Sequence, residues 1–489
     1  MNLRSLSIAF FSILLFPALA KRPNIVVILT DDHRYDALGF LGHPFLKTPH
    51  MDRLAAEGVH FQNAYVTTSL CSPSRASILT GLYAHNHRVV DNYNPVGKSL
   101  TFFPELLQSA GYQTAFIGKW HMGDSEEKQR GFDYWLSFKG QGVYVPDPAM
   151  LKAKGRFVPQ ATNSGFNING KRVAQKGYIT DELTDYAEEW LGAKDDTKPF
   201  FLYVSHKGVH ADFLPPDRHA FKYDEVLIPT PPTPLSNPDL FTDPPMWVRN
   251  QSNSRHGVEF AYYTGVDMKK YYRRYCEALL AVDDSVGRLL GNLEKSGELE
   301  DTVVLYLGDN GFIFGEHGLI DKRCAYDESI RIPMLMRYPK SLKPGTKVEK
   351  IVANIDVAPT LLEVAGLKSK KRMDGKSFWQ LAKGKVTPDW RKYLLYEYYW
   401  ERNYPQTPTN HAVIGEGYKY IRYHGVWDQD ELYHTKSDPK ERKNLFNDSS
   451  QESRITEMNK ALFNLLADSS GENMPLLRDR GTKYLHRKS

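Results

Sequence analysis

Residues 24–32 read NIVVILTDD, and the rest of the chain can be ordered around them. The strand is read over Asn24–Leu29, where the run from Ile25 onward is apolar without a break and mostly β-branched. With no polar residue at alternate positions, it predicts a strand buried on both faces, as in a mostly parallel sheet covered by helices. It ends in two carboxylates, Asp31 and Asp32, at its C-terminal edge. Outside that edge is where open α/β sheets bind their ligands.

The pattern recurs. Pro199–Val204 (PFFLYV) opens onto Ser205-His206-Lys207-Gly208-Val209-His210, and Thr302–Leu307 (TVVLYL) ends in Gly308-Asp309-Asn310-Gly311. Thr114–Ile117 is a shorter strand that exits at Gly118-Lys119-Trp120-His121, and Phe61–Val66 another that leads into residues 70–81, LCSPSRASILTG. Helices are read at Pro49–Gly58, Pro104–Gly111, Ile179–Leu191 and Ala358–Ala365. The clearest is Tyr271–Leu293, whose residues Tyr275, Leu279, Val282, Val286, Leu289 and Leu293 make one apolar stripe for the core. The expected fold is α/β: a large mixed, mostly parallel sheet sandwiched by helices.

Two stretches break the pattern. From Gly140 to about Lys176, Gly, Asn, Pro and Lys dominate, which reads as a long insertion over the sheet. Residues 211–250 carry PTPPTP at 229–234 and further prolines, which exclude regular structure and suit a wall or lid beside a site. Near residue 385 the character changes. Tyr393–Trp400, His411–Ile414, Tyr418–Tyr423 and Glu431–His434 read as short antiparallel strands, and Gln451–Asp468 as a helix. The expected division is a catalytic domain over 21–384 and a smaller C-terminal α+β subdomain, a four-stranded antiparallel sheet plus helix, over 385–489.

The 489 residues, 41% hydrophobic and 25% charged, allow a sizeable core. Arg4, the apolar run Leu6–Phe16 and Ala18-Leu19-Ala20 read as a signal peptide cleaved after about Ala20, hence an exported protein, periplasmic or secreted. The apolar run is far shorter than the roughly 20 residues that span a bilayer, so no stable membrane insertion is expected. A net charge of +5 with no basic–aromatic run gives no reason to expect a nucleic-acid partner. Export permits disulfides, yet there are three cysteines, Cys71, Cys276 and Cys324; pairing of the last two is left open.

The chemistry collects at the strand ends. Asp31, Asp32, Asp309 and Asn310 offer the oxygen ligands of a hard divalent cation, Ca²⁺ or Mg²⁺, although an acid at a strand end also serves as a turn or cap. Lys119, His121, His206, His210, Arg75, Lys322 and Arg323 lie in or beside the same segments. Together they are suited to surround an oxyanion, which points to hydrolysis of a sulfate or phosphate ester. Cys71 alone reads as a buried thiol, a disulfide half, a metal ligand or a nucleophile.

With these motifs the chain resembles the type I, formylglycine-dependent sulfatases of the alkaline phosphatase superfamily. CSPSR at 71–75, continued by ASILTG, matches the C-x-P-S-R sequence at which an activating enzyme converts cysteine to formylglycine; TDD at 30–32, GKWH at 118–121, GDNG at 308–311, GEHGL at 315–319 and DKRCAYDES at 321–329 resemble the family's other blocks. The resemblance covers most of residues 22–480. It implies a Ca²⁺ ion held by Asp31, Asp32, Asp309 and Asn310, with the modified Cys71 completing the shell. It implies that Arg75 and Lys119 hold the formylglycine hydrate and that His121 is the base that breaks down a covalent sulfate intermediate. It further implies that His210 and Lys322 bind the sulfate and assist the leaving alcohol, with His206 competing for the role of His210. A formylglycine-generating enzyme is the implied partner during maturation. Arg88 departs from the family, where glycine often follows the histidine, and Cys324 lies two residues beyond Lys322.

The expected substrate is an O-sulfated glycan or polysaccharide attacked at terminal residues. Candidate contacts are Arg88, Trp247, Arg323, Trp400 and Arg402, since aromatic faces and guanidinium groups suit sugars and their anionic groups. The alternatives are a phosphate or phosphonate monoester hydrolase of the same superfamily and an inactive sulfatase-like glycan-binding protein.

Overall fold

The computed structural model describes residues 22–123, 125–153, 165–234, 236–249, 267–402, 404, 407–424 and 429–472. The expected signal peptide, residues 1–20, lies outside them. No helix among the described residues is long and apolar enough to cross a membrane.

The strand Asn24–Thr30 lies inside a ten-stranded sheet, fully buried along its length. It pairs in parallel with Phe200–Ser205 on one side and Thr302–Gly308 on the other. Beyond Phe200–Ser205 come Gln113–Gly118 and Tyr134–Ser137, both parallel. Beyond Thr302–Gly308 comes Met334–Arg337, which runs antiparallel to both of its neighbours, Thr302–Gly308 and Val59–Phe61, and then the edge strand Thr346–Val348, parallel to Val59–Phe61. Alternate residues feed two cores. Ile25, Val27 and Leu29 face the layer that contains Ala76, Ile78 and Leu79 of the helix Cys71–Thr80. Val26 and Ile28 face the layer that contains the stripe of the helix Met268–Lys295. The expected sandwich is therefore present.

Three readings need correction. The region after Gly140 is not wholly an insertion above the sheet. Phe166–Ile168 and Lys171–Val173 form a hairpin that extends the sheet beyond Tyr134–Ser137. Its turn is Asn169-Gly170, both at positive φ (48° and 90°), the pair that a two-residue type I′ turn favours. The strand expected over Phe61–Val66 is two strands, Val59–Phe61 and Ala64–Tyr65, in different sheets. In the proline-rich stretch, the short helix Met246–Arg249 forms where the prolines stop.

The C-terminal sheet is antiparallel in the order Tyr393–Tyr398, Asn410–Gly415, Tyr418–Tyr423, Glu431–Tyr433, and Met458, Leu462 and Leu466 of the helix Glu452–Ser469 are buried with its residues in one cluster. A buried ion pair ties this sheet to the segment after the cysteine helix. His85 Nδ1 donates to Glu397 Oε2 at 2.7 Å, His85 N donates to Oε1 at 3.0 Å, and Tyr399 Oη donates to Oε2 at 2.9 Å. Both ionic side chains are fully buried.

Burial alone would raise the Glu397 carboxyl, yet His85 brings it down to about 2. Burial alone would lower His85, but Glu397 raises it above its usual value. The depressed acid contributes stability above its unfolded value near 4.5 that is lost as pH falls toward 2. The raised base contributes stability below its unfolded value near 6.5 that is lost at higher pH. Removing one partner of such a pair costs about 3–5 kcal/mol. We therefore expect Glu397→Gln to lower the unfolding free energy most between these two values, at about pH 5–6. Denaturant titrations as a function of pH check this, and a deficit unchanged from pH 3 to 8 would contradict it.

Candidate active site

Four parallel strands end side by side, and each hands over part of one cluster. Asn24–Thr30 delivers Asp31 and Asp32, Thr302–Gly308 delivers Asp309 and Asn310, Gln113–Gly118 delivers Lys119 and His121, and Phe200–Ser205 leads, one turn on, to His210. Gly118 permits the convergence: at φ +126° its missing Cβ would stand 1.9 Å from the Ser205 carbonyl oxygen. Lys119 N then donates to that oxygen at 2.8 Å.

The helix Cys71–Thr80 closes the cluster from above the strand ends. All its residues are buried, and it ends at Gly81, whose N–H donates to Ser77 O at 2.8 Å. Arg75 projects from its second turn. Arg75 Nε donates to Asp309 Oδ2 at 3.0 Å, and Nη1 donates to the Lys119 carbonyl and to Ser205 Oγ, each at 2.7 Å. Arg75 Nη2 lies 2.8 Å from Asp309 Oδ2 and 3.8 Å from Asp31 Oδ1. Lys119 Nζ pairs with Asp31 Oδ2, and Lys322 Nζ pairs with Asp32 Oδ1. Lys322 Nζ also lies 2.9 Å from Cys71 Sγ, which sits 3.4 Å from Asp31 Oδ1. Ser72 Oγ donates to the His121 carbonyl, which fixes the helix start against the loop after Lys119.

Three carboxylates are thus matched by three cations, all buried. Burial would raise Asp31, yet Lys119, His210, Arg75 and Lys322 hold it well below the usual carboxylate range. Asp309 rises to about 7 through burial and then repulsion from Asp31, and Asp32 is raised chiefly by burial. Oxygens of Asp31, Asp32 and Asp309 lie within 4.8 Å of one another. Asp32 Oδ2 and Asn310 Oδ1 are buried acceptors that receive no hydrogen bond. An all-oxygen set with two unsatisfied acceptors fits a hard divalent cation, which would relieve the strain on the raised acids.

The histidines differ. His210 Nδ1 donates to the Ala211 carbonyl at 3.0 Å, and Nε2 lies 3.9 Å from Asp32 Oδ2 with the side chain 19% exposed. His121 is buried, its Nδ1 without a hydrogen-bond partner, and burial with the nearby Lys119 and Arg75 keeps its pKa well below the usual range. His206 is fully buried on the other side of the turn, its Nε2 3.0 Å from Ser285 Oγ of the helix Met268–Lys295. It belongs to that packing and not to the cluster, because the register that turns Lys207 and His210 toward the strand ends turns His206 into the helix.

The candidate substrate contacts are spread more widely. Arg323 is buried between Asp321 and Glu401, with Nε 2.7 Å from Glu401 Oε1 and the guanidinium 3.6 Å from the centre of the Tyr404 ring. Trp247 packs edge-on against Tyr423. Trp400 is 43% exposed and Arg402 is exposed. Arg88 takes the left-handed position that ends the helix Ala84–His87, at φ 64°, the place where glycine is commonest. Cys276 and Cys324 are both buried and unpaired.

Known proteins resemble the chain in sequence and fold. Residues 23–367 match the family model described as Sulfatase, and residues 315–468 match that described as N-sulphoglucosamine sulphohydrolase, C-terminal. The N-acetylglucosamine-6-O-sulfatase of Bacteroides thetaiotaomicron is 34% identical, over 87% of this chain and 83% of that protein. The human N-acetylglucosamine-6-sulfatase is 32% identical over 80% of this chain and 69% of that protein. A protein solved in complex with its substrate D-glucosamine-2-N,6-O-disulfate superposes with a TM-score of 0.81 at 30% identity, covering 93% of this chain and 99% of that one. By its sequence and its fold the chain belongs to the sulfatase family.

Proposed function

We propose that the chain is an exported sulfuric ester hydrolase that removes O-sulfate from a sulfated glycan, the 6-O-sulfate of an N-acetylglucosamine or glucosamine residue being the first candidate. The observation that carries this reading is Cys71 Sγ held between Lys322 Nζ and Asp31, at the start of a helix whose Arg75 reaches the acids of two strand ends. Relatives named for 6-O-desulfation of this sugar support the substrate class.

Burial, then the Asp31 carboxylate, pushes the Cys71 thiol up to about 12. A thiol that stays protonated is no nucleophile at neutral pH, so the unmodified residue is chemically idle. Conversion to formylglycine by a formylglycine-generating enzyme supplies, as the aldehyde hydrate, a hydroxyl nucleophile and a second hydroxyl for release of sulfate. Asp31, Asp32, Asp309 and Asn310, with the modified residue 71, hold Ca²⁺, which supplies charge neutralisation for sulfate oxygens.

The chain's own groups do the rest. Lys119 and Arg75 hold the side chain of residue 71 in line and keep Asp31 ionised. Lys322 balances the equatorial oxygens of the sulfate from the side of Cys71. His121, uncharged and with a free ring nitrogen, takes the proton at residue 71. His210, with Nε2 toward the cluster, serves the leaving alcohol, and His206 is left out because Ser285 engages its Nε2. The exposed Trp400 and Arg402 contact the sugar, with Arg88 and Trp247 as further candidates, while Arg323 is taken up by Asp321, Glu401 and the Tyr404 ring.

Cys71→Ala in the full chain should lower sulfate release from N-acetylglucosamine-6-sulfate by at least about 10³-fold, with the melting temperature kept. Turnover close to wild type in that variant would sink the assignment of the nucleophile. Mass spectrometry of the Cys71 peptide from natively matured protein should show H₂S exchanged for oxygen, whereas an intact thiol would speak for a glycan-binding protein. Removing divalent ions with a chelator should lower the melting temperature and Ca²⁺ should restore it, since a ligand at 100 times its Kd adds about 2.7 kcal/mol. Asp309→Ala should abolish that response, and an undiminished response in the variant contradicts the ligand set.

A further inference from the structure

A fourth buried cation, Lys207, stands beside the three that pair with the acids. Lys207 follows the strand Phe200–Ser205 and is 3% exposed. Its turn is stitched to the acidic loop on both sides: Asp31 N donates to the Gly208 carbonyl at 2.9 Å, and Val209 N donates to the Asp31 carbonyl at 2.8 Å. His210 N donates back to the Lys207 carbonyl at 3.0 Å, so Lys207 and His210 share one turn. Tyr144 joins them from the side, its Oη donating to the His210 carbonyl at 2.6 Å and its ring centre 4.6 Å from Lys207 Nζ.

Arg75, Lys119 and Lys322 are each paired with a carboxylate of the cluster. Lys207 Nζ has neither a hydrogen bond nor an ion pair among the described residues; it lies over the Tyr144 ring, and the carboxylates of Asp31, Asp212 and Asp32 act on it from beyond ion-pair distance. A cation–π contact recovers only part of the cost of burying an ammonium, and buried charges are ordinarily paired. Burial and the neighbouring Lys119 lower Lys207 to about 8, which leaves it largely protonated at neutral pH.

We propose that Lys207 is a substrate contact whose ammonium takes an anionic oxygen of the bound sulfated sugar. The protein thus holds, beside its catalytic turn, a buried cation with no ion-pair partner among the described residues, placed to take an anion that the substrate brings. The shared chemistry is a sulfate or carboxylate oxygen, and two sources can present it: the sulfo group being removed or a second anionic group on the same sugar. The inference rests on the sulfatase reading for its substrate class.

The test compares Lys207→Met and Lys207→Arg with the parent chain. Calorimetric binding of N-acetylglucosamine-6-sulfate, glucosamine-2-N,6-O-disulfate and inorganic sulfate is measured in the Cys71→Ala background, where no turnover interferes. Lys207→Met should weaken binding of at least one probe about 10-fold or more, and Lys207→Arg should retain most of it. Loss common to all three probes identifies the sulfo group as the partner, and loss confined to the disulfate identifies the second anion. The melting temperature without ligand should stay level or rise in Lys207→Met, because an unpaired buried charge is removed. Affinities within twofold of the parent for every probe overturn the proposal, as does a Lys207→Met chain that melts several degrees lower or fails to fold. If the matured wild-type enzyme releases no sulfate, the functional reading fails while the binding arms still decide Lys207.

Discussion

The guanidinium of Arg75 is the interaction on which the centre depends. Strands running in parallel bring their C-terminal ends to one edge, and here those ends carry Asp31, Asp32 and Asp309 into a buried space where like charges repel. Arg75 answers from the helix Cys71–Thr80, reaching Asp309, Asp31, the Lys119 carbonyl and Ser205 Oγ at once. A planar fork of donors can do this where a single ammonium cannot. The same contact fixes the helix that starts at Cys71, so the geometry that neutralises the acids also places Cys71.

Around this centre the C-terminal sheet acts as a clamp. Lys419 Nζ, fully buried, lies 2.6 Å from both Asp327 Oδ1 and Glu441 Oε1, which ties the segment after Lys322 to that sheet. Glu397 does the same for the segment after the cysteine helix through His85, and Glu401 holds Arg323. The elements that carry Cys71 and Lys322 are therefore held from both sides, by the strand ends below and by buried ion pairs above. Pre-organised charge of this kind acts on a developing oxyanion without reorganising.

The buried strands were legible because strands covered on both faces are apolar without interruption, and their polar ends then stand out as Asp31-Asp32 and Asp309-Asn310. The edge of the sheet was not. Lys171–Val173 has exposed residues at two of its three positions and no apolar run to announce it, although Asn169-Gly170 carried the turn signal. Glu397 could not be linked to His85 from sequence, since 312 residues separate them and only the tertiary fold makes the pair. Within Ser205–His210 the sequence showed three cationic or titratable side chains in one turn, but not which way each points. Register sends His206 into the helix and leaves Lys207 and His210 at the strand ends, and a lone lysine among histidines gives no signal of that in one dimension.

The central claim is that this cluster hydrolyses sulfate esters of a glycan. Its most direct test is kcat/KM of the natively matured, Ca²⁺-loaded enzyme for N-acetylglucosamine-6-sulfate against N-acetylglucosamine-6-phosphate, two esters that differ only in the transferred group. The account predicts release of sulfate with a clear preference for the sulfate ester. A preference for the phosphate ester would contradict it.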